Sequence, residues 1–223
     1  MSTLKSLEEN LTFNADGVGK EVKFQVNGVE KASISSAGAF TSTSIDATKL
    51  SGALPAIDGS ALTGIGYPLT SGTVTNTTSS TSKDYTSLPS WVKRITISLE
   101  GVSSNGSDAF LIQLGDAGGV EATSYINSSI RLGASIADYA ATTGFRLYSD
   151  SAGFAYYGQI TLTLIDSSTN TWSCSAVTGR TGSVYLFIST GSKSLSAVLD
   201  RVRLTTTGGT NTFDAGKINI LYE

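Results

Sequence analysis

Apolar and polar residues alternate with period two through much of the chain. Glu21-Val22-Lys23-Phe24-Gln25-Val26 alternates, Asn27-Gly28 follows, and Val29-Glu30-Lys31-Ala32-Ser33-Ile34 resumes the pattern. Two such runs joined by Asn-Gly predict a hairpin, because a type I′ turn needs positive φ at both central residues. From residue 71 onward the pattern is all β. Arg94–Glu100, Phe110–Leu114, Gln159–Leu164, Trp172–Ala176 and Lys217–Tyr222 alternate, and Arg201–Leu204 is a further short run. Val184-Tyr185-Leu186-Phe187-Ile188 is apolar on both faces and reads as a central strand. Clusters rich in Ser, Asn, Asp and Gly separate the runs, as at 103–108, 116–119, 150–153, 166–170, 178–182 and 207–211. Eight or more short strands with such turns predict an antiparallel β-sandwich, jelly-roll-like, over residues 68–223.

The front third reads differently. A lone hairpin is marginal in water, so the face carrying Val22, Phe24 and Val26 needs a cover. Other copies of the same chain can supply it. Further on, Ile45, Leu50, Leu54, Ile57, Leu62 and Ile65 recur every three to five residues among small ones. Neither a helical nor a strand period fits, and Gly52, Gly59, Gly64, Gly66 and Pro55 oppose a long helix. A disordered linker does not need these apolar residues. An extended chain wound around two copies of itself does. Val22, Phe24, Val26, Leu50, Leu54, Ile57, Leu62 and Ile65 are therefore expected at a trimer axis. Leu4, Leu7 and Leu11 make an apolar stripe that suits one or two helical turns, with a frayed terminus as the alternative. The expected divisions are an attachment segment at 1–19, an intertwined trimeric β shaft and linker at 20–67, and the sandwich at 68–223.

Composition narrows the chemistry. The 223 residues include 34 Ser, 29 Thr and 24 Gly, and only 15% are charged, against ~25% in ordinary soluble domains. Without His there is no Ser-His-Asp or Cys-His catalysis and no His metal site. A single Cys excludes an intrachain disulfide and any Cys cluster. A net charge of −3 offers no basic face for nucleic acid. No apolar run approaches the ~20 residues that span a bilayer. Met1-Ser2-Thr3-Leu4-Lys5 lacks the apolar stretch of a secretory signal, so export is not expected. Neither a cofactor nor a metal is expected.

The one catalytic device left is a carboxylate pair. Asp108, Asp116, Asp138, Asp150 and Asp166 sit in expected loops, where Asp is usually a turn former. The same acids are oxygen ligands of the kind Ca²⁺ takes, without a spacing signature. Cys174 shares a strand face with Trp172 and Ala176 and reads as a small buried hydrophobe. Aromatic residues carry more weight. Tyr125, Tyr139, Tyr148, Tyr156, Tyr157 and Trp91 lie in or beside irregular segments. Rings stack on sugar C–H faces, and Arg131, Arg146 and Arg180 offer bidentate forks to anionic groups. The segment 116–157 is expected to be a binding-loop region, with Asp116, Tyr125, Arg131, Tyr139, Arg146, Tyr156 and Tyr157 as its binding contacts.

Leu50-Ser51-Gly52-Ala53-Leu54-Pro55-Ala56-Ile57-Asp58-Gly59-Ser60-Ala61-Leu62-Thr63-Gly64-Ile65 resembles a segment common in tail-fibre proteins of tailed bacteriophages. Leu88-Pro89-Ser90-Trp91-Val92-Lys93-Arg94-Ile95-Thr96, Ile112-Gln113-Leu114-Gly115-Asp116-Ala117-Gly118-Gly119 and Gly216-Lys217-Ile218-Asn219-Ile220-Leu221-Tyr222-Glu223 look like the same family. The resemblance implies a non-enzymatic homotrimer in the virion, assembled in the host cytoplasm. It implies binding to a host-surface polysaccharide, often lipopolysaccharide, and docking on a baseplate or other tail protein through the N-terminus. A polysaccharide-degrading tailspike using paired carboxylates and a purely structural virion connector are the alternatives. No catalytic motif and no receptor contact is carried over from the family.

Overall fold

The computed structural model describes residues 18–42, 69–148 and 151–223. They fall into two units, one within Met1–Thr63 and one within Gly64–Glu223. Leu50, Leu54, Ile57, Leu62 and Ile65, expected at a trimer axis, lie outside the described residues, as do Leu4, Leu7 and Leu11. The described residues are all β, with antiparallel pairing throughout and no helix.

In the first unit, β1 (Val22–Val26), β2 (Val29–Ile34) and β3 (Phe40–Ser42) form one sheet in that order. Asn27 and Gly28 turn between β1 and β2 with φ of 54° and 75°, as the Asn-Gly signal predicts. Register puts Val22, Ile34 and Phe40 in one row and Phe24 and Ala32 in the next. The other face carries Lys23, whose ammonium lies 2.9 Å from the Glu30 carboxylate. The sheet thus has a polar face and an apolar one, and nothing among the described residues of the unit covers the apolar one. Phe24 is 46% exposed and Phe40 57%.

The second unit is built from β4 (Thr70–Ser71), β5 (Thr75–Asn76), β6 (Lys83–Tyr85), β7 (Arg94–Ser104), β8 (Phe110–Asp116), β9 (Gly119–Val120) and β10 (Ile126–Leu132). It continues with β11 (Ala137–Ala140), β12 (Phe145–Leu147), β13 (Tyr156–Asp166), β14 (Thr171–Arg180), β15 (Leu186–Ser194), β16 (Arg201–Thr206) and β17 (Phe213–Tyr222). The larger sheet runs β11-β10-β15-β14-β13-β7-β17-β4, and the smaller runs β12-β8-β16-β6. Between them lies one core. Ile95 and Ile97 (β7), Ile160 and Leu162 (β13), and Ile218 and Ile220 (β17) share a buried cluster with Ile112 and Leu114 (β8) and Leu204 (β16). These are the inward positions of the alternating runs. Each buried side chain of this kind contributes roughly 1.5–3 kcal/mol. Cys174 belongs to the core with Trp172 and Ala176, and burial pushes its thiol up to about 12.

One strand departs from the pattern. On β10 the inward positions are Asn127, Ser129 and Arg131, while Ile126, Ile130 and Leu132 face outward. Its neighbour β15 is apolar on both faces at its start. Phe187 is buried, yet Leu186 and Ile188 are 51% and 41% exposed. The central-strand pattern is therefore met on one side only.

The pairing of β7 with β17 is shaped by a bulge around Gly216, whose φ is +91°. A Cβ there would lie 2.4 Å from the Gly101 carbonyl carbon. Both the conformation and the space require glycine. Gly216→Ala is expected to lower stability by about 1–3 kcal/mol, seen as a lower urea midpoint at unchanged strand content.

Candidate functional site

The edge where β11, β10 and β15 overlie β12 is fastened by a buried amide. Asn127 is 4% exposed. Its Nδ2 donates to Ser189 Oγ (2.9 Å) and to the Thr190 carbonyl (3.0 Å), and its Oδ1 accepts from the Arg146 N–H (3.1 Å). Its hydrogen-bonding capacity is used across two sheets, which makes a polar group tolerable in the core. It also fixes the height of β12, and with it Arg146.

Beside this amide, arginines and aromatic rings alternate. The Arg146 guanidinium lies 4.1 Å from the Tyr139 ring centre. Arg131, at the far end of the polar row of β10, sits between Tyr148 (5.4 Å) and Tyr185 (5.2 Å). Arg180, ending β14, sits between Phe154 (3.9 Å) and Tyr185 (4.4 Å). The Tyr139 and Tyr148 rings are 5.2 Å apart, and Tyr148 stacks on Phe187 at 4.8 Å. Each cation meets the electron-rich face of a ring. Side-chain hydrogen bonds fix the planes further. Arg131 donates to Tyr148 Oη (3.1 Å) and Ser135 Oγ (2.8 Å), and Arg180 donates to Ser183 Oγ. Arg146 Nε, also buried, has no hydrogen-bond partner among the described residues.

Tyr139, Tyr185, Arg131, Arg146 and Phe154 are half-buried, and exposed segments at 133–136 and 181–184 flank them. A surface of this make-up offers ring faces for C–H stacking beside polar donors. Rigid aromatic and arginine side chains give contact area at low entropic cost.

The residues expected as receptor contacts divide sharply. Arg131, Tyr139 and Arg146 come together here. Tyr157 does not join them. It is 50% exposed but points outward from the larger sheet, its ring lying over Gly179. Tyr156, Tyr125 and Asp116 need correcting, because they are 1%, 2% and 6% exposed. Tyr156 packs on Phe110 at 5.2 Å, and adjacent strand residues face opposite ways, so Tyr156 and Tyr157 do not share a surface. Tyr125 meets Phe145 edge-on at 5.0 Å. Its hydroxyl accepts from the Leu114 N–H (2.7 Å), and burial drives its pKa far up. Tyr148, Phe154, Arg180 and Tyr185 complete the cluster. Tyr148 and Arg180 stood among the aromatic and cationic candidates, whereas Phe154 and Tyr185 carried no sign in sequence beyond aromatic type.

Asp116 belongs to a clasp between the β8–β9 turn and the chain after β15. Its Oδ1 accepts from the Gly118 N–H (2.7 Å) and its Oδ2 from Ser196 Oγ (2.5 Å). Glu121 Oε1 accepts from the Ser196 N–H (2.6 Å), and its Oε2 lies 2.5 Å from Lys193 Nζ, itself 4% exposed. The Ser196 hydroxyl and the Gly118 N–H hold the Asp116 carboxyl below its usual range. Burial raises that of Glu121, but Lys193 and Ser196 outweigh it and the net shift is down.

Both carboxyls thus stabilise the fold when ionised. That contribution is present above the unfolded carboxyl range near ~4 and is lost as pH falls through the lowered folded values. Glu121→Gln is expected to cost about 1.5–3 kcal/mol at pH 7, the range for a hydrogen bond to a charged group. The gap from wild type should narrow as pH drops below ~4. Urea midpoints across pH measure both.

Among the described residues no group of three or more Cys, Asp or Glu is placed to hold a metal ion. No family description, curated protein or solved structure matches the chain.

Proposed function

We propose that this chain is a homotrimeric tail-fibre protein of a bacteriophage that attaches the virion to a polysaccharide on the host surface. On this reading the second unit is the receptor-binding tip, a jelly-roll-like sandwich. The first unit belongs to a trimeric shaft, and the N-terminal segment docks on a baseplate or other tail protein. The protein acts in the virion, as a binder and not as an enzyme.

The observation that carries the reading is the arginine–aromatic edge. Half-exposed tyrosines are held flat by guanidiniums on a rigid sandwich and flanked by exposed segments. Sugars bind such surfaces ring against ring, with polar side chains taking the hydroxyls. The resemblance of residues 50–65 to tail-fibre segments supports it from sequence. So does the bare apolar face of Phe24, Ile34 and Phe40, which three copies turned inward would cover. Trimerisation turns weak single-site sugar binding into firm attachment to a repetitive surface. A polysaccharide-cleaving spike needs a carboxyl held protonated as general acid. Asp116 and Glu121, the two acids that share Ser196, are held below the usual carboxyl range, so neither is that acid.

Tyr139→Ala combined with Arg146→Ala should weaken binding to host cells at least ~10-fold, a total loss of about 1.4 kcal/mol or more. The melting temperature should stay within a few degrees, because both side chains are half-exposed. Binding of labelled protein to intact and polysaccharide-stripped cells measures it. Equal binding to both cell types overturns the polysaccharide as receptor.

A further inference from the structure

The outward face of β10, β15, β14 and β13 is uncharged through its middle, with Asp166 at the end of β13 and Asp138 of β11, opposite Ile130, at its margins. Ile126, Ser128, Ile130 and Leu132 face out from β10, and Leu186, Ile188, Thr190 and Ser192 from β15. Ser173, Ser175 and Val177 face out from β14, and Tyr157, Gln159, Thr161 and Thr163 from β13. Register aligns Ile130, Ile188 and Val177 in one row across three strands. Leu132 and Leu186 stand in the next, with Tyr157 opposite Gly179. Val177 and Leu186 are 53% and 51% exposed. A lone sandwich in water normally puts polar residues on such a face. Here β10 does the reverse, spending polar residues on the core and apolar ones on the outside.

The geometry points to another copy of this chain as what covers this face. This rests on the trimer reading and gives the tip its own contact. A partner must match a flat surface of aliphatic, Ser and Thr side chains whose charges, Asp138 and Asp166, stand only at its margins. The chain itself presents such a surface. A polysaccharide is less suited, since Tyr157 is the one ring among the outward side chains of these four strands and Tyr139 reaches only the hollow at the β11 margin. Size agrees. Four strands ~4.8 Å apart and seven to nine residues at ~3.3 Å each span roughly 19 by 23 to 30 Å. With side-chain relief that approaches the ~800 Å² each partner gives to a stable interface. A hollow of about 290 Å³ lined by Ser128, Ile130, Asp138, Ala140, Ile188 and Thr190 lies on this face. It has room for an apolar side chain of the facing copy.

The test is sedimentation of the full chain over a range of micromolar concentrations. It compares wild type, Val177→Lys with Ile188→Lys, Phe24→Lys with Ile34→Lys, and Thr207→Lys as a control for added charge. The first pair should weaken association at least tenfold and shift mass toward the single chain, while Thr207→Lys leaves it unchanged. If only the Phe24 pair acts, the tip contact is overturned and the shaft stands. If only the Val177 pair acts, the tip contact stands and the shaft reading falls. A wild type of single-copy mass throughout overturns both. Loss of cell binding in the Val177 pair at unchanged mass also overturns the contact, by making the face a receptor site. Should the lysines prevent folding, seen as lost strand signal in circular dichroism, Val177→Thr with Ile188→Thr keeps the β-branched shape and is read in the same way.

Discussion

A buried asparagine joins the two sheets of the larger unit at the point where the inward row of β10 turns polar. Toward β7 and β17 the sheets are held by burial of aliphatic rows, a non-directional force proportional to area. Toward β10 the inward row of that strand turns polar, opposite the apolar Phe145 and Leu147 of β12, and directional bonds join in. Asn127 bridges β10, β15 and the backbone of β12. An unmet amide there would cost far more than a met one contributes. The arrangement is therefore specific, and it sets the position of Arg146 over Tyr139 to within the slack of one hydrogen bond. The candidate site is a continuation of this polar seam to the surface.

Rigidity follows from the same source. Tyr148 stacks on the buried Phe187, and Arg131 bonds to Tyr148, so the rings are braced from the core outward. At another point the Lys193–Glu121 pair and Asp116 tie the chain after β15 to the β8–β9 turn through Ser196. A surface braced in this way loses little entropy on binding, which suits recognition through a few contacts.

The two units share one property. Each has a β-sheet face whose apolar side chains stand exposed among the described residues: Phe24, Ile34 and Phe40 in the first, Ile188, Val177 and Leu186 in the second. Exposed apolar area of this extent favours association. Low charge removes the repulsion that would oppose it. Abundant Ser and Thr keep the surrounding surface hydrated without fixing a charged partner.

Period-two alternation made the β class, the Asn27-Gly28 hairpin, the long strands β7, β13, β14 and β17 and the buried place of Cys174 readable from sequence. These features are set by local backbone geometry and by which side chains avoid water, both of which act along the chain. The strands β10, β11 and β12 were not readable in the same way, because β10 carries its polar residues inward and the other two are short. Their place depends on Asn127 and on partners distant in sequence. The same limit governed the site. Aromatic and arginine types marked Arg131, Tyr139 and Arg146, yet they marked Tyr125 and Tyr156 equally. Only the packing of two sheets decided which rings reach the surface and which fill the core, since a strand's inward side is defined by what lies across from it.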